Sequence, residues 1–164
     1  LERVKDMLEE ITESGHKALI FSQWEQVTAV YKEALKDYNP AYIVGAVDPE
    51  DRQKEVDRFQ NDPTCKVAIG TIGAMGTGLT MTAASYVFFI DKRYWDAENK
   101  QAEDRAHRIG TTNTVNVVSL VATNTVDEGI EEMLRDNKAL FDRVVEGKGS
   151  RVDFGEILRK ILQL

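Results

Sequence analysis

Three features of the sequence predict an α/β fold with a mainly parallel sheet flanked by helices. Short runs at 17–22, 66–71 and 86–91 are apolar nearly throughout, as strands buried on both faces tend to be. Stretches with apolar residues at helical spacing alternate with these runs, the order that lays parallel strands side by side. The chain has 164 residues, 42% hydrophobic and 30% charged, enough for one well-packed domain and too few for two of ordinary size. That balance also argues against disorder.

In chain order, Leu1, Val4, Leu8 and Ile11 recur at helical spacing until Ser14-Gly15 breaks the pattern. Lys17 to Ser22 is the first strand. Gln23 to Asp37 carries Val27, Val30, Tyr31, Ala34 and Leu35 on a helical stripe, and Ala41 to Val44 is a brief second strand. After a loop from Gly45 to Glu50, Pro49 suits the first turn of a helix through Phe59, and Asn61-Asp62-Pro63 marks a turn. Lys66 to Thr71 and Tyr86 to Asp91 are the third and fourth strands, with Val115 to Val121 a fifth. Thr125-Val126-Asp127-Glu128 fits a capping box opening a helix to about Val145. Residues 146–150 then form a flexible break before a short amphipathic helix from Asp153 to Leu164. No internal repeat is visible.

Charge and cysteine usage narrow the function classes. Lys plus Arg total 21 against 28 Asp plus Glu, a net charge of −7. Nucleic-acid binders are usually basic, so any DNA contact must come from a local basic stripe or from a partner domain. Cys65 is the only cysteine, which excludes an intrachain disulfide and a cysteine-based zinc site and suggests a reducing compartment. His16 and His107 are too few for a metal cluster, and no metal site is expected. No apolar run approaches the roughly 20 residues of a membrane span, no signal peptide opens the chain, and no membrane partner is expected. Leu1 stands inside an amphipathic pattern, which suggests a piece of a longer protein.

The chemistry concentrates in Gln-Ala-Glu-Asp-Arg-Ala-His-Arg-Ile-Gly, residues 101–110. On a helix, Gln101, Arg105 and Arg108 fall at i, i+4 and i+7 and line one face. Two guanidinium forks there suit one polyphosphate, and an arginine finger in a nucleotide hydrolase accelerates turnover by roughly 10³ to 10⁵. Periodicity alone favours the plainer reading, a solvated, salt-bridged helix surface made by Glu103, Asp104, Arg105 and Arg108. Residues 73–80 nearly fit the G-x-x-x-x-G-K-[ST] phosphate loop, but Leu79 stands where the lysine belongs, leaving a closely packed glycine turn or a weaker phosphate contact. Ser22 and Gln23 close the first strand at the edge where open α/β sheets collect ligands, whereas Ser22 as a helix cap and Trp24 as core are equally good roles. Lys92, Arg93, Tyr94 and Trp95 form the one compact basic-aromatic patch, suited to phosphates and a groove or sugar face, or else a solvated loop with Trp95 partly buried.

The string at 101–110 resembles motif VI of the Swi/Snf family of helicase-like, DNA-translocating ATPases, within helicase superfamily two. Lys17 to Trp24 resembles motif IV of that family, and Thr71 to Thr80, ending Gly-Thr-Gly-Leu-Thr, resembles motif V. Asp91 to Trp95 stands where the family has Asp-x-x-Trp-Asn-Pro, with Tyr94 or Trp95 at the aromatic position and Asp96 where proline is expected. Arg52 and Phe59 match the family's Arg-x₆-Phe helix, with Val44-Gly45 replacing the usual Asp-Gly; Arg52 is read as structural and Phe59 as core.

The resemblance implies a RecA-like second, carboxyl-terminal lobe over 1–146, followed by a linker and short helix at 147–164. It implies arginine-finger roles for Arg105 and Arg108 and nucleotide contact for Gln101 and Gly78. It also implies contact with double-stranded DNA for Ser22, Gln23, Thr71, Lys92, Arg93, Tyr94 and Trp95. ATP and Mg²⁺ would be held mainly by an absent amino-terminal lobe, because this chain has neither a complete phosphate-loop lysine motif nor a strand-ending Asp-Glu box. Asp127-Glu128 begins a helix and is assigned to capping. DNA-associated proteins are further expected partners. The compact domain leans towards a bacterial, nucleoid-associated cytoplasmic protein, with a eukaryotic nucleus as the alternative. A RecA-like interaction module without catalysis is the competing function; an RNA helicase lobe is disfavoured by the Ala-His-Arg-Ile-Gly wording.

Overall fold

A computed structural model describes residues 1–75, 79–92, 96–104, 114–121 and 134–136, the side chains of 96–98 excepted. Five strands form one sheet: β1 Lys17–Ser22, β2 Ala41–Ile43, β3 Val67–Thr71, β4 Ala84–Phe89 and β5 Asn116–Ser119. Their order is β2-β3-β1-β4-β5 and every pairing is parallel, as the apolar runs predict. The chain starts its sheet at the centre, builds one side through β2 and β3, then crosses over β1 to place β4 and β5 on the other. β1 is therefore the point where the direction of winding reverses, and in such sheets ligands collect outside the carboxyl ends of the strands around it.

Both faces of the sheet are covered. The amphipathic stripe of α1 (Glu2–Glu13) buries Val4, Leu8 and Ile11 beside Tyr31 and Leu35, which belong to α2 (Glu25–Ala34) and its cap. These side chains meet Ala18, Ile20, Val67, Ile69 and Phe88. The alternate strand residues Leu19, Phe21, Ala68, Val87 and Phe89 point the other way. There they meet Val56 and Phe59 of α3 (Pro49–Asn61), Ile72 and Met75 of the single turn α4 (Ile72–Met75), and Ala102 of α5 (Asp96–Glu103). Phe59 is fully buried, the core role assigned to it. Arg52 is half-buried, and its Nε is enclosed with no hydrogen-bond partner among the described residues.

Local chemistry sets the element boundaries. Pro49 opens α3 as expected, behind Asp48, whose side chain accepts the Glu50 amide at 3.2 Å. The predicted helix from Gln23 to Asp37 is shorter: α2 stops at Ala34, where Leu35 leaves helical geometry (φ −113°, ψ 19°), and a 3₁₀ turn at Lys36–Tyr38 follows, closed by Asn39 in a left-handed conformation (φ 48°). α4 was not foreseen: Thr71 ends β3 and the chain turns at once. The helical pattern containing Gln101 is present as α5, which runs to Glu103. The predicted capping box at 125–128, the break at 146–150 and the helix at 153–164 lie outside the described residues. Leu134, in the described helical segment 134–136, is buried.

Candidate functional site

The carboxyl ends of β1, β3 and β4 bring three separated stretches of sequence to one edge. Ser22 and Thr71 are register partners at the ends of β1 and β3, and Asp91 follows β4 by two residues. The β1–β4 ladder ends at Phe21 opposite Phe89, with one more bond from the Ile90 amide to the Phe21 carbonyl at 2.9 Å. Beyond it the Asp91 carboxylate replaces the ladder. Its Oδ2 accepts the Ser22 hydroxyl at 2.5 Å and its Oδ1 accepts the Gln23 amide at 2.7 Å. Hydrogen bonds to an ionised acceptor are about twice as strong as neutral ones.

Ser22 is completely buried and spends its one donor on Asp91, while its oxygen accepts the Trp24 amide at 3.0 Å. It is not the cap of α2, as one sequence role proposed: the capping residue is Trp24, and no side chain caps that end. Ser22 instead closes a local turn before the helix. With no exposed surface in this conformation, Ser22 supports the edge from beneath. Trp24 is a second correction, 56% exposed where a core role was one expectation. The turn held by Ser22 and Asp91 ends the strand before the tryptophan can fold back over the sheet. Gln23 is half-buried, and its amide group donates to the Lys92 carbonyl at 3.5 Å, a long bond.

Thr71 and Lys92 are both half-buried at this edge, and the Thr71 hydroxyl accepts the Ala74 amide at 3.4 Å. On α5, Asn99 and Ala102 are buried while Gln101 is exposed, so the helix turns the predicted nucleotide-contact residue away from the core. Burial first, and the Asp91 charge second, push the Tyr31 phenol above its ordinary range. Gly78, Arg93, Tyr94, Trp95, Arg105 and Arg108 lie outside the described residues. Asp91 was quoted in the sequence as part of a motif without a role of its own. An aspartate closing one apolar strand and a serine closing another are the available signal, and only the strand order makes them neighbours.

Residues 1–110 match the model of the helicase conserved C-terminal domain. The chain belongs to that family.

Among the relatives of this helicase lobe is Protein CHROMATIN REMODELING 19 of Arabidopsis thaliana, 35% identical over 168 residues, which covers 96% of the chain and 22% of the relative. Helicase SWR1 of Candida glabrata is 32% identical over 89% of the chain and 10% of the relative. DNA annealing helicase and endonuclease ZRANB3 of Homo sapiens is 36% identical over 93% of the chain and 14% of the relative. The lobe thus spans less than a quarter of each of these proteins. The crystal structure of the C-terminal part of the Fun30 ATPase domain superposes with a TM-score of 0.76 at 29% identity, covering 80% of this chain and 44% of that one. These relatives bear out the Swi/Snf-type assignment made on the motifs, and the structural neighbour bears out the RecA-like fold. The three relatives come from a plant, a fungus and a mammal, which lends nothing to the bacterial lean.

Proposed function

We propose that this domain is the second motor lobe of a Swi/Snf-type ATPase that translocates on double-stranded DNA, joined to a first RecA-like lobe in a longer polypeptide. The observation that carries the proposal is the meeting of Ser22, Thr71 and Asp91 at the switch-point edge of the sheet. Three motif-bearing stretches there share one ligand-facing rim.

Gln23, Thr71 and Lys92 face the DNA backbone with Arg93 and the aromatic at Tyr94 or Trp95, while Ser22 braces them from below. Gln101 and Gly78 contact ATP, and Arg105 and Arg108 stabilise charge developing on the γ-phosphate. The exposed Gln101 amide fits a nucleotide-side role, being a neutral donor and acceptor on the α5 helix. Among the described residues no three His, Cys, Asp or Glu side chains converge as cation ligands, and in this assignment Mg²⁺ and most of the triphosphate belong to the first lobe. The metal-bound nucleotide supplies the scissile phosphate; this lobe contributes arginine charge and closure. The nucleus is the compartment that the named relatives favour, and DNA-associated proteins are further partners.

The test is the isolated chain beside its two-lobe parent. The chain alone is expected to show negligible ATPase activity and at most weak DNA affinity that falls as salt rises. Robust turnover by the chain alone contradicts the division of labour. The exposed Trp24, together with a net charge of −7, favours one other reading: a RecA-like protein-interaction module. That reading requires upstream sequence lacking G-x-x-x-x-G-K-[ST] and a strand-ending Asp-Glu.

A further inference from the structure

We propose that Asp91 is the positioning residue that couples the DNA-facing edge of this lobe to the segment leading into its nucleotide-facing helix, an inference that rests on the motor function proposed above. The carboxylate lies just beyond the last backbone bond between β1 and β4, from the Ile90 amide to the Phe21 carbonyl at 2.9 Å. One oxygen takes the buried Ser22 hydroxyl at 2.5 Å and the other takes the Gln23 amide at 2.7 Å, residues nearly 70 positions away in sequence. A third link runs from the Gln23 side chain to the Lys92 carbonyl at 3.5 Å.

Asp91 is also five residues before Asp96, the first residue of α5, on which Gln101 is exposed and from which the chain runs on towards Arg105. A displacement of Gln23 by a DNA strand is therefore delivered through two charge-assisted bonds to Asp91, just past the end of β4 and five residues before α5. The anion is essential to the joint. Ser22 has one hydroxyl proton and Gln23 one amide proton, and only a group with two acceptor oxygens takes both without presenting a donor. Asparagine at this position keeps the shape and one acceptor but turns an NH₂ group towards one of the two donors.

The experiment is steady-state ATPase of the full-length two-lobe protein at fixed salt, titrated with duplex DNA, for wild type, Ser22→Ala, Asp91→Asn and the double variant, with thermal unfolding of each. Asp91→Asn should cut DNA-stimulated turnover about tenfold, the scale of a lost charge-assisted hydrogen bond, while KM for ATP stays within about twofold. Ser22→Ala should act in the same direction. The double variant should be no worse than Asp91→Asn, because both changes break one joint. Wild-type stimulation in Asp91→Asn, or a double variant equal to the product of the singles, overturns the proposal. If Asp91→Asn fails to fold, Ser22→Ala decides alone: full stimulation overturns, and reduced stimulation with an unchanged KM for ATP supports. A wild-type protein that DNA does not stimulate at all defeats the motor function itself, whereas normal wild-type stimulation with an indifferent Asp91→Asn defeats only the coupling.

Discussion

At Gly70 a single added methyl group would collide with the backbone carbonyl oxygen of Ile43 and with the Met75 side chain. The methionine can swing aside; the carbonyl is fixed by the pairing of β2 with β3. Gly70→Ala should therefore destabilise the domain by about 1 to 3 kcal/mol, the usual cost of overpacking, read as a lower urea midpoint with an unchanged slope. An unchanged midpoint would show that the two strands can part without cost. In the sequence Gly70 is one more small residue in an apolar run, because the close approach depends on which strand lies alongside. Trp24 and Ser22 were legible as types and not as environments for the same reason. An apolar residue after a strand reads as core, yet the carboxylate of Asp91 ends the strand early and leaves Trp24 outside.

At the scale of elements, α3 is held at each end and in the middle by polar contacts that periodicity does not reveal. The Lys17 ammonium donates to the Phe59 and Asp62 carbonyls at 2.5 and 2.7 Å, at the helix's carboxyl end where a cation is favoured. Burial lowers the Lys17 pKa from its ordinary value, opposed by the nearby Cys65 and Asp62. In the middle, Glu55 accepts the Tyr42 amide at 2.9 Å and the Arg58 guanidinium at 2.7 Å, while Arg58 also donates to Asn39 and to the Pro40 carbonyl. This network ties α3 to β2, which is only three residues long.

Burial alone would raise the Glu55 pKa, but the hydrogen bonds from Arg58 and the Tyr42 amide outweigh it and hold the carboxyl below its ordinary 4.5. A depressed carboxyl adds stability that is complete above the unfolded value and is lost as pH falls through the folded one. Glu55→Gln should thus lower Tm at neutral pH, with the gap to wild type closing as pH drops below about 4.5. A gap that stays constant across the acid range would mean the charge is not what links α3 to β2. The strands and long helices were legible because their apolar pattern reports burial directly. The α4 turn and the early end of α2 were not, since each depends on a local backbone geometry that composition does not encode.

For the whole molecule, the sequence foretold a parallel sheet covered on both faces, and the burial of alternate strand residues against separate helical layers accounts for it. The strand order was not readable, since apolar runs do not name their neighbours, and that order is what makes Ser22, Thr71 and Asp91 one rim. The motif strings supplied the family before any geometry did, because ten adjacent positions at 101–110 carry more information than their helical spacing. A net charge of −7 is unusual for a nucleic-acid binder, so the proposed motor function requires its DNA contact to come from a local strip of the surface. The most direct test of the motor function is DNA-stimulated ATPase of the full-length protein at fixed salt, comparing wild type with Arg105→Ala and Arg108→Ala. A fall of roughly 10³-fold or more in turnover with ATP binding largely kept is the expected result. Unchanged turnover would make Arg105 and Arg108 ordinary surface charges and contradict the proposed arginine-finger role.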